Sequence, residues 1–302
     1  MRSLITNIRT GLQIKAGNTA GTPPSEAWSR VVIESTVPLK PMTLSTAGSV
    51  RMAFPGVPLN MPDAVIPVYD GVISVISAKT TSNGASLEVA LEHEVPFHTE
   101  SVEGIPHRLE LKFDRKPAYE VLTGKRLLID PGHGGRDRGG RGPVDLLEKN
   151  VVLTLGHRLR NAALGAGMSP LMTRETDVDL SYESRLETVT RVSSDVLVSL
   201  HTGVERDRSL RGAGAAYLND AGKDLAHAIV RELARKLHLP NRGVWPERVV
   251  GNLRVPAVAV EFVTITNWVD EGWVRSCVFL DRAALAILNG LKNYFWSIRT
   301  PS

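Results

Sequence analysis

The chain holds a single cysteine, Cys277, in 302 residues. That excludes an internal disulfide and any cage of several thiolates, so a metal ion, if one is bound, must sit on histidines and carboxylates. No apolar run approaches the roughly 18 residues needed to cross a bilayer, so no membrane span is expected. The opening MRSLITNIRTGLQ is basic but lacks a continuous apolar stretch, so no signal peptide is expected in this chain. Aromatics are few, at 5%, and the net charge is only +4. Lys and Arg are scattered, and no basic block is interleaved with aromatics, which argues against a nucleic-acid partner. A modest positive excess suits an anionic partner such as a cell wall. The length is enough for two ordinary domains, each with its own core.

The first third reads as strands. SRVVIEST, SVRMAFPG, GVISVISA, ASLEVALE and HRLELKFD are short, branched or alternating apolar runs separated by Gly, Pro, Ser and Asn. VVIESTVP (residues 31–38) and VALEHEVP (89–96) share four of eight positions. Each is preceded by a related strand, LITNIRT or VISVISA, and followed by another, SVRMAF or HRLELKF. Two such three-strand units predict an all-β sandwich with pseudo-twofold symmetry over residues 1–115.

From residue 125 strands alternate with helices. RLLID, MSPLMT, DVLVSLH, GAGAAYL and PAVAVEF read as strands. Helical spacing appears over 148–166 (Val152, Leu155, Leu159, Ala163), through SYESRLETVTRVS, over 222–237 and over 281–295. The expectation is an α/β domain over 125–302, a mostly parallel twisted sheet flanked by helices. The polar stretch DRKPAYEVLTG marks the boundary, with 116–124 as linker.

In open α/β sheets ligands collect at the carboxyl ends of the strands. RLLID runs into Pro131-Gly132-His133, DVLVSL into His201 and PAVAV into Glu261, while Glu148 opens the first helix. Two histidines and a carboxylate are a recurrent set for catalytic zinc, and a second carboxylate can serve as general base. Taken singly, each residue has a plainer reading. A histidine after a strand is commonly a hydrogen-bonded turn residue, and Glu148 at a helix start suits the dipole. PGHGGRDRGGRG is glycine-rich like a phosphate loop, but no GKS or GKT follows. The coincidence of all four ionisable residues at one sheet edge favours a metal site.

LLIDPGHGGRDRGG, LLEKNVVL, DVLVSLH and VPAVAVEF, in that order over residues 125–295, resemble the zinc-dependent N-acetylmuramoyl-L-alanine amidases of the amidase-3 type. Thr173-Arg174, the Leu180 to Arg185 spacing and Asn267 six residues after Glu261 agree with it. The resemblance implies Zn²⁺ as cofactor, His133, Glu148 and His201 as its ligands, and Glu261 as the catalytic glutamate. It implies a peptidoglycan substrate and an extracytoplasmic place of work, with residues 1–115 similar to an AMIN-type targeting module. Arg174 and Arg185 are candidates for binding stem-peptide carboxylates, with a structural salt bridge as the alternative. The short stretch after His201 leaves no room for the inserted helix that covers the metal in some related enzymes, so an open site is expected.

Two positions depart from the family pattern. Thr202-Gly203 follows His201 where a residue and then Asn is usual, and Phe262-Val263-Thr264 follows Glu261 where a residue and then Gly-Phe is usual. Neither change removes a proposed ligand or base. Both bear on loop geometry and substrate contacts. A non-catalytic peptidoglycan-binding protein, and another zinc amidohydrolase or carboxypeptidase of cell-wall peptides, are the competing readings.

Overall fold

Branched apolar residues alternating with polar ones build the N-terminal strands in a computed structural model that describes residues 3–15, 26–46, 48–247 and 253–299. The chain divides into two compact units, the first reaching Ala118 and the second running from Tyr119.

The first unit is all β: β1 (Ile5–Lys15), β2 (Glu26–Ser35), β3 (Met42–Thr46), β4 (Ser49–Pro55), β5 (Ala64–Pro67), β6 (Ile73–Thr81), β7 (Gly84–Leu91), β8 (Phe97–Val102) and β9 (His107–Asp114). Its two sheets have the orders β1-β2-β9-β8 and β3-β4-β7-β6-β5. The sequence repeat is legible in this topology. β1 and β2 pair in one sheet and hand β3 and β4 to the other, where β6 and β7 pair and hand β8 and β9 back. The inward positions, among them Val31, Ile33, Val50, Met52, Ile76, Val89, Leu109 and Leu111, form one buried core. β3, β5 and β8 carry no sequence signal of their own. Every residue of β3 is exposed, so it lacks the burial alternation that marks a strand, and β5 is only four residues long.

α1 (Lys116–Glu120) takes up five residues of the stretch read as linker and spans the division after Ala118. The second unit then runs β10 (Arg126–Pro131), α2 (Glu148–Gly165), β11 (Ser169–Met172), α3 (Tyr182–Arg191), β12 (Val196–Gly203), β13 (Ala213–Tyr217), α4 (Lys223–Leu237), β14 (Asn241–Pro246), β15 (Ala257–Thr264), α5 (Trp268–Val274) and α6 (Cys277–Ser297). The six-stranded sheet has the order β11-β10-β12-β15-β13-β14. β11, β10, β12 and β15 are mutually parallel, and β13 meets β15 antiparallel. The sheet is therefore mixed, with a parallel majority, and helices flank it.

Period-two alternation sorts the strand residues. Leu127 and Ile129 on β10, Val196, Val198 and Leu200 on β12, and Val258, Val260 and Phe262 on β15 join the core built with α2, α4 and α6. Leu155 and Leu159 of α2 are fully buried in it, and each such side chain contributes about 2 kcal/mol through removal from water. The intervening residues Asp130, Ser199, His201, Ala259 and Glu261 line a pocket associated with the opposite side of the same strands. That alternation is what places ionisable groups beside an apolar core without burying them in it.

Candidate active site

Register brings the site together. β12 and β15 pair in parallel with His201 opposite Glu261, and β10 pairs with β12 so that Asp130 lies opposite Ser199. Both strands continue past the ionisable residue, to Gly203 and Thr264, so His201 and Glu261 sit just inside the carboxyl ends rather than on the last residue. His133 lies beyond β10 with a positive φ of 59°, a conformation that costs a non-glycine residue energy and persists only where its surroundings hold it.

Two arginines do that holding. Arg174 is 3% exposed and donates to the carbonyls of Pro131 (2.8 Å), Gly132 (2.8 Å) and Lys149 (2.9 Å). Arg185 pairs with Asp130 and donates to the carbonyls of Pro131 (2.9 Å) and His133 (2.6 Å). Arg174 and Arg185, expected either to meet stem-peptide carboxylates or to make a structural salt bridge, thus both donate to the turn that carries His133. Arg185 also pairs with Asp130 and lines the pocket. Asn267 is likewise structural, capping α5 by accepting from the amides of Val269 and Asp270.

Asp130 also accepts from Thr173 Oγ1 (2.6 Å) and Ser199 Oγ (2.8 Å). Burial alone would raise its carboxyl, but Arg185 and these hydroxyls hold it below the usual range. A lowered folded-state pKa means stability that is present above the unfolded value, about 3.9, and lost as pH falls through the folded value. Asp130→Asn strands the Arg185 charge and is expected to destabilise the chain by about 3 kcal/mol. Chemical denaturation near pH 7 reads this, and a loss below about 1 kcal/mol would show the pair to be energetically idle.

Glu148, the first residue of α2, is 2% exposed. Its Oε1 accepts from the Thr202 amide (2.8 Å) and its Oε2 from the Gly140 amide (2.7 Å). His133 Nε2 stands 3.3 Å from Oε2, and His201 Nδ1 stands 3.3 Å from Oε1. Burial pushes the carboxyl up, and the two imidazoles with the Gly140 amide overcome it, holding Glu148 far below the carboxylate range. Hydrogen bonding to Glu148 in turn raises His133, against the effect of its burial. One ligand atom from each of His133, Glu148 and His201 lies within 4.8 Å of the others, a group that could hold a metal ion.

Asp137 stands behind the first histidine, its Oδ2 2.9 Å from His133 Nδ1. With a proton on Nδ1 directed at this carboxylate, Nε2 is the nitrogen that can give its lone pair to a metal ion. Such a partner typically contributes 10–100-fold to metal affinity. For a metal ion held by this group, Asp137→Ala is expected to weaken binding by about tenfold, the low end of that range, because the side chain is 65% exposed. Competition with a chromophoric chelator measures it, and an unchanged affinity would remove Asp137 from this role.

Glu261 is about one-quarter exposed, and its Oε2 accepts from Arg242 Nη1 at 2.7 Å. Burial raises its carboxyl, and Arg242 works against that rise. Arg242 also pairs with Glu205. Neither partner is evident from the sequence, since Arg242 lies on an edge strand and Glu205 in the loop after β12. Residues 204–212 form turns and bends without a helix.

A mixed α/β unit with two histidines, a buried carboxylate between them and a second carboxylate alongside has the makings of a metallohydrolase. The chain belongs to the N-acetylmuramoyl-L-alanine amidase family, Amidase_3, which it matches over residues 127–293. It is 29% identical over 200 residues to the probable cell wall amidase LytH of Staphylococcus epidermidis, covering 65% of this chain and 67% of that protein. It is 31% identical over 180 residues to the N-acetylmuramoyl-L-alanine amidase LytC of Bacillus subtilis, covering 58% of this chain and 36% of that one. Among solved structures, the N-acetylmuramoyl-L-alanine amidase AmiC2 of Nostoc punctiforme superposes with a TM-score of 0.55 at 28% identity, over 58% of this chain and 99% of that one. The amidase from Clostridium difficile 630 gives 0.56 at 25%, over 59% and 100%.

Proposed function

We propose that the chain is a zinc-dependent amidase that hydrolyses the bond between N-acetylmuramic acid and L-alanine of the peptidoglycan stem peptide. The observation that carries this reading is the convergence of His133, Glu148 and His201 beside Glu261. The donor set fits zinc. One ligand atom from each of the three residues lies within 4.8 Å of the others, and two imidazoles with one carboxylate leave the fourth position of a tetrahedral ion for water. Bound there, zinc supplies Lewis acidity that polarises a carbonyl and lowers the pKa of a water toward about 7.

The remaining work falls to the chain itself. Asp137 fixes the His133 ring, and the Gly140 and Thr202 amides fix the Glu148 carboxylate. Glu261 takes a proton from the water that attacks the lactyl amide carbonyl, then returns it to the amino group of L-alanine as the C–N bond breaks. A carboxyl raised by burial is suited to both transfers, since it is a stronger base than a solvated one and a competent acid afterwards.

Residues 125–302 form the catalytic part in this reading. Residues 1–115, joined through 116–124, form an AMIN-like module that directs it to peptidoglycan outside the cytoplasm. No helix among the described residues is long and apolar enough to cross a membrane. The experiment is release of soluble fragments from purified cell walls with and without a chelator. Activity lost on chelation and restored by Zn²⁺ supports the assignment, and activity indifferent to chelation contradicts it.

A further inference from the structure

Position 203, two residues after His201, is one of the places where the chain departs from the family pattern, and the structure shows what uses that space. A Cβ on Gly203 would lie 2.2 Å from Arg242 Nη1 and 2.9 Å from Glu261 Oε2. The guanidinium therefore occupies the room a side chain at 203 would need. Arg242 belongs to the edge strand β14, and β13 lies between that strand and β15. The arginine reaches across at Gly214, which pairs with both Glu261 and Gly243 and where a Cβ would meet Trp245 at 2.6 Å and Arg242 Cβ at 3.3 Å. Two residues without side chains thus open the path from the sheet edge to the site.

At the end of that path the guanidinium is clamped on both sides. Nη2 pairs with Glu205, while Nη1 holds Glu261 Oε2 at 2.7 Å and lies 3.4 Å from Thr264 Oγ1. The arginine side chain is 19% exposed. Among the described residues, no hydrogen bond engages Glu261 Oε1. One carboxylate oxygen is tethered and the other is left for a proton.

We propose that Arg242 is the positioning residue of Glu261, anchored by Glu205 and admitted by the absence of a side chain at Gly203. The proposal rests on Glu261 being the base, as read above. A base held within about half an ångström of its productive place keeps its full effect, and a displacement of about 1 Å costs on the order of 10²-fold.

The test is steady-state hydrolysis of a soluble muropeptide by full-length zinc-loaded enzyme carrying Arg242→Ala, Gly203→Ala or Glu261→Gln. Arg242→Ala is expected to lose about 10²-fold in kcat, with KM within about twofold, unchanged zinc stoichiometry and partial recovery on adding guanidinium ion. Gly203→Ala is expected to reproduce the kcat loss by displacing the guanidinium, which keeps the test open if Arg242→Ala fails to fold. A kcat within about threefold of wild type in either variant overturns the proposal. So does a loss that appears in KM instead or, for Arg242→Ala, one that guanidinium does not relieve. Glu261→Gln separates the two readings. If it is inactive while Arg242→Ala is near wild type, only the positioning role fails, whereas wild-type turnover in Glu261→Gln removes the base itself.

Discussion

Glu261→Gln is expected to lower the turnover of peptidoglycan by at least about 10²-fold, and by up to about 10⁴-fold, the range general acid–base groups supply. Glutamine keeps the shape of the side chain and offers an oxygen to Arg242, but it cannot take a proton from water. It removes no donor atom from the His133, Glu148 and His201 group. Zinc content and thermal stability should therefore stay at wild-type levels while turnover falls. Elemental analysis beside a cell-wall release assay reads both quantities. Turnover within about threefold of wild type would assign proton transfer to another group, while loss of zinc would make Glu261 part of the metal site.

His201→Ala removes a donor atom and is expected to leave the protein without stoichiometric zinc and hydrolysis at background. The effect on stability follows by linkage. A ligand present at 100 times its Kd stabilises the native state by about 2.7 kcal/mol, so added zinc should raise the melting temperature of the wild type and leave His201→Ala unmoved. His201 is the informative choice because its ring is about one-third exposed and its polar contact is with Glu148, inside the same group. Glu148, by contrast, also satisfies two backbone amides, so its replacement mixes metal loss with damage to the fold. A variant that keeps full zinc occupancy would place the metal elsewhere.

Which parts of this site are visible in the sequence follows from how each is built. His133, His201 and Glu261 stand where apolar runs give way to ionisable residues, and parallel pairing turns that pattern into proximity. The sandwich repeat is similarly readable, since the four shared positions in eight start on β2 and β7, at Val31 and Val89, and run into the turns that follow those strands. The antiparallel run of β13 leaves no trace in residue periodicity, because alternation is the same whichever way a strand points. β14, NRGVWP, is polar and interrupted by Gly, and an edge strand needs no apolar alternation. Arg242 therefore reads as a solvated arginine until β13 places it beside Glu261. Arg174 and Arg185 show the converse, cationic residues near a catalytic motif whose donors turn out to hold backbone carbonyls. No spacing rule separates those two outcomes, since both depend on where the guanidinium points.

The bond cleaved and the metal that serves its cleavage are reached by one measurement. Purified peptidoglycan is incubated with the zinc-loaded chain and, in parallel, with the chelated chain, and the products are identified by mass. The expected result is zinc-dependent release of stem peptides with a free L-alanine amino terminus, leaving muramic acid with a free lactyl carboxylate. Release of D-alanine would make the protein a carboxypeptidase, and intact peptidoglycan with zinc bound would make it a binding protein; either result contradicts the account.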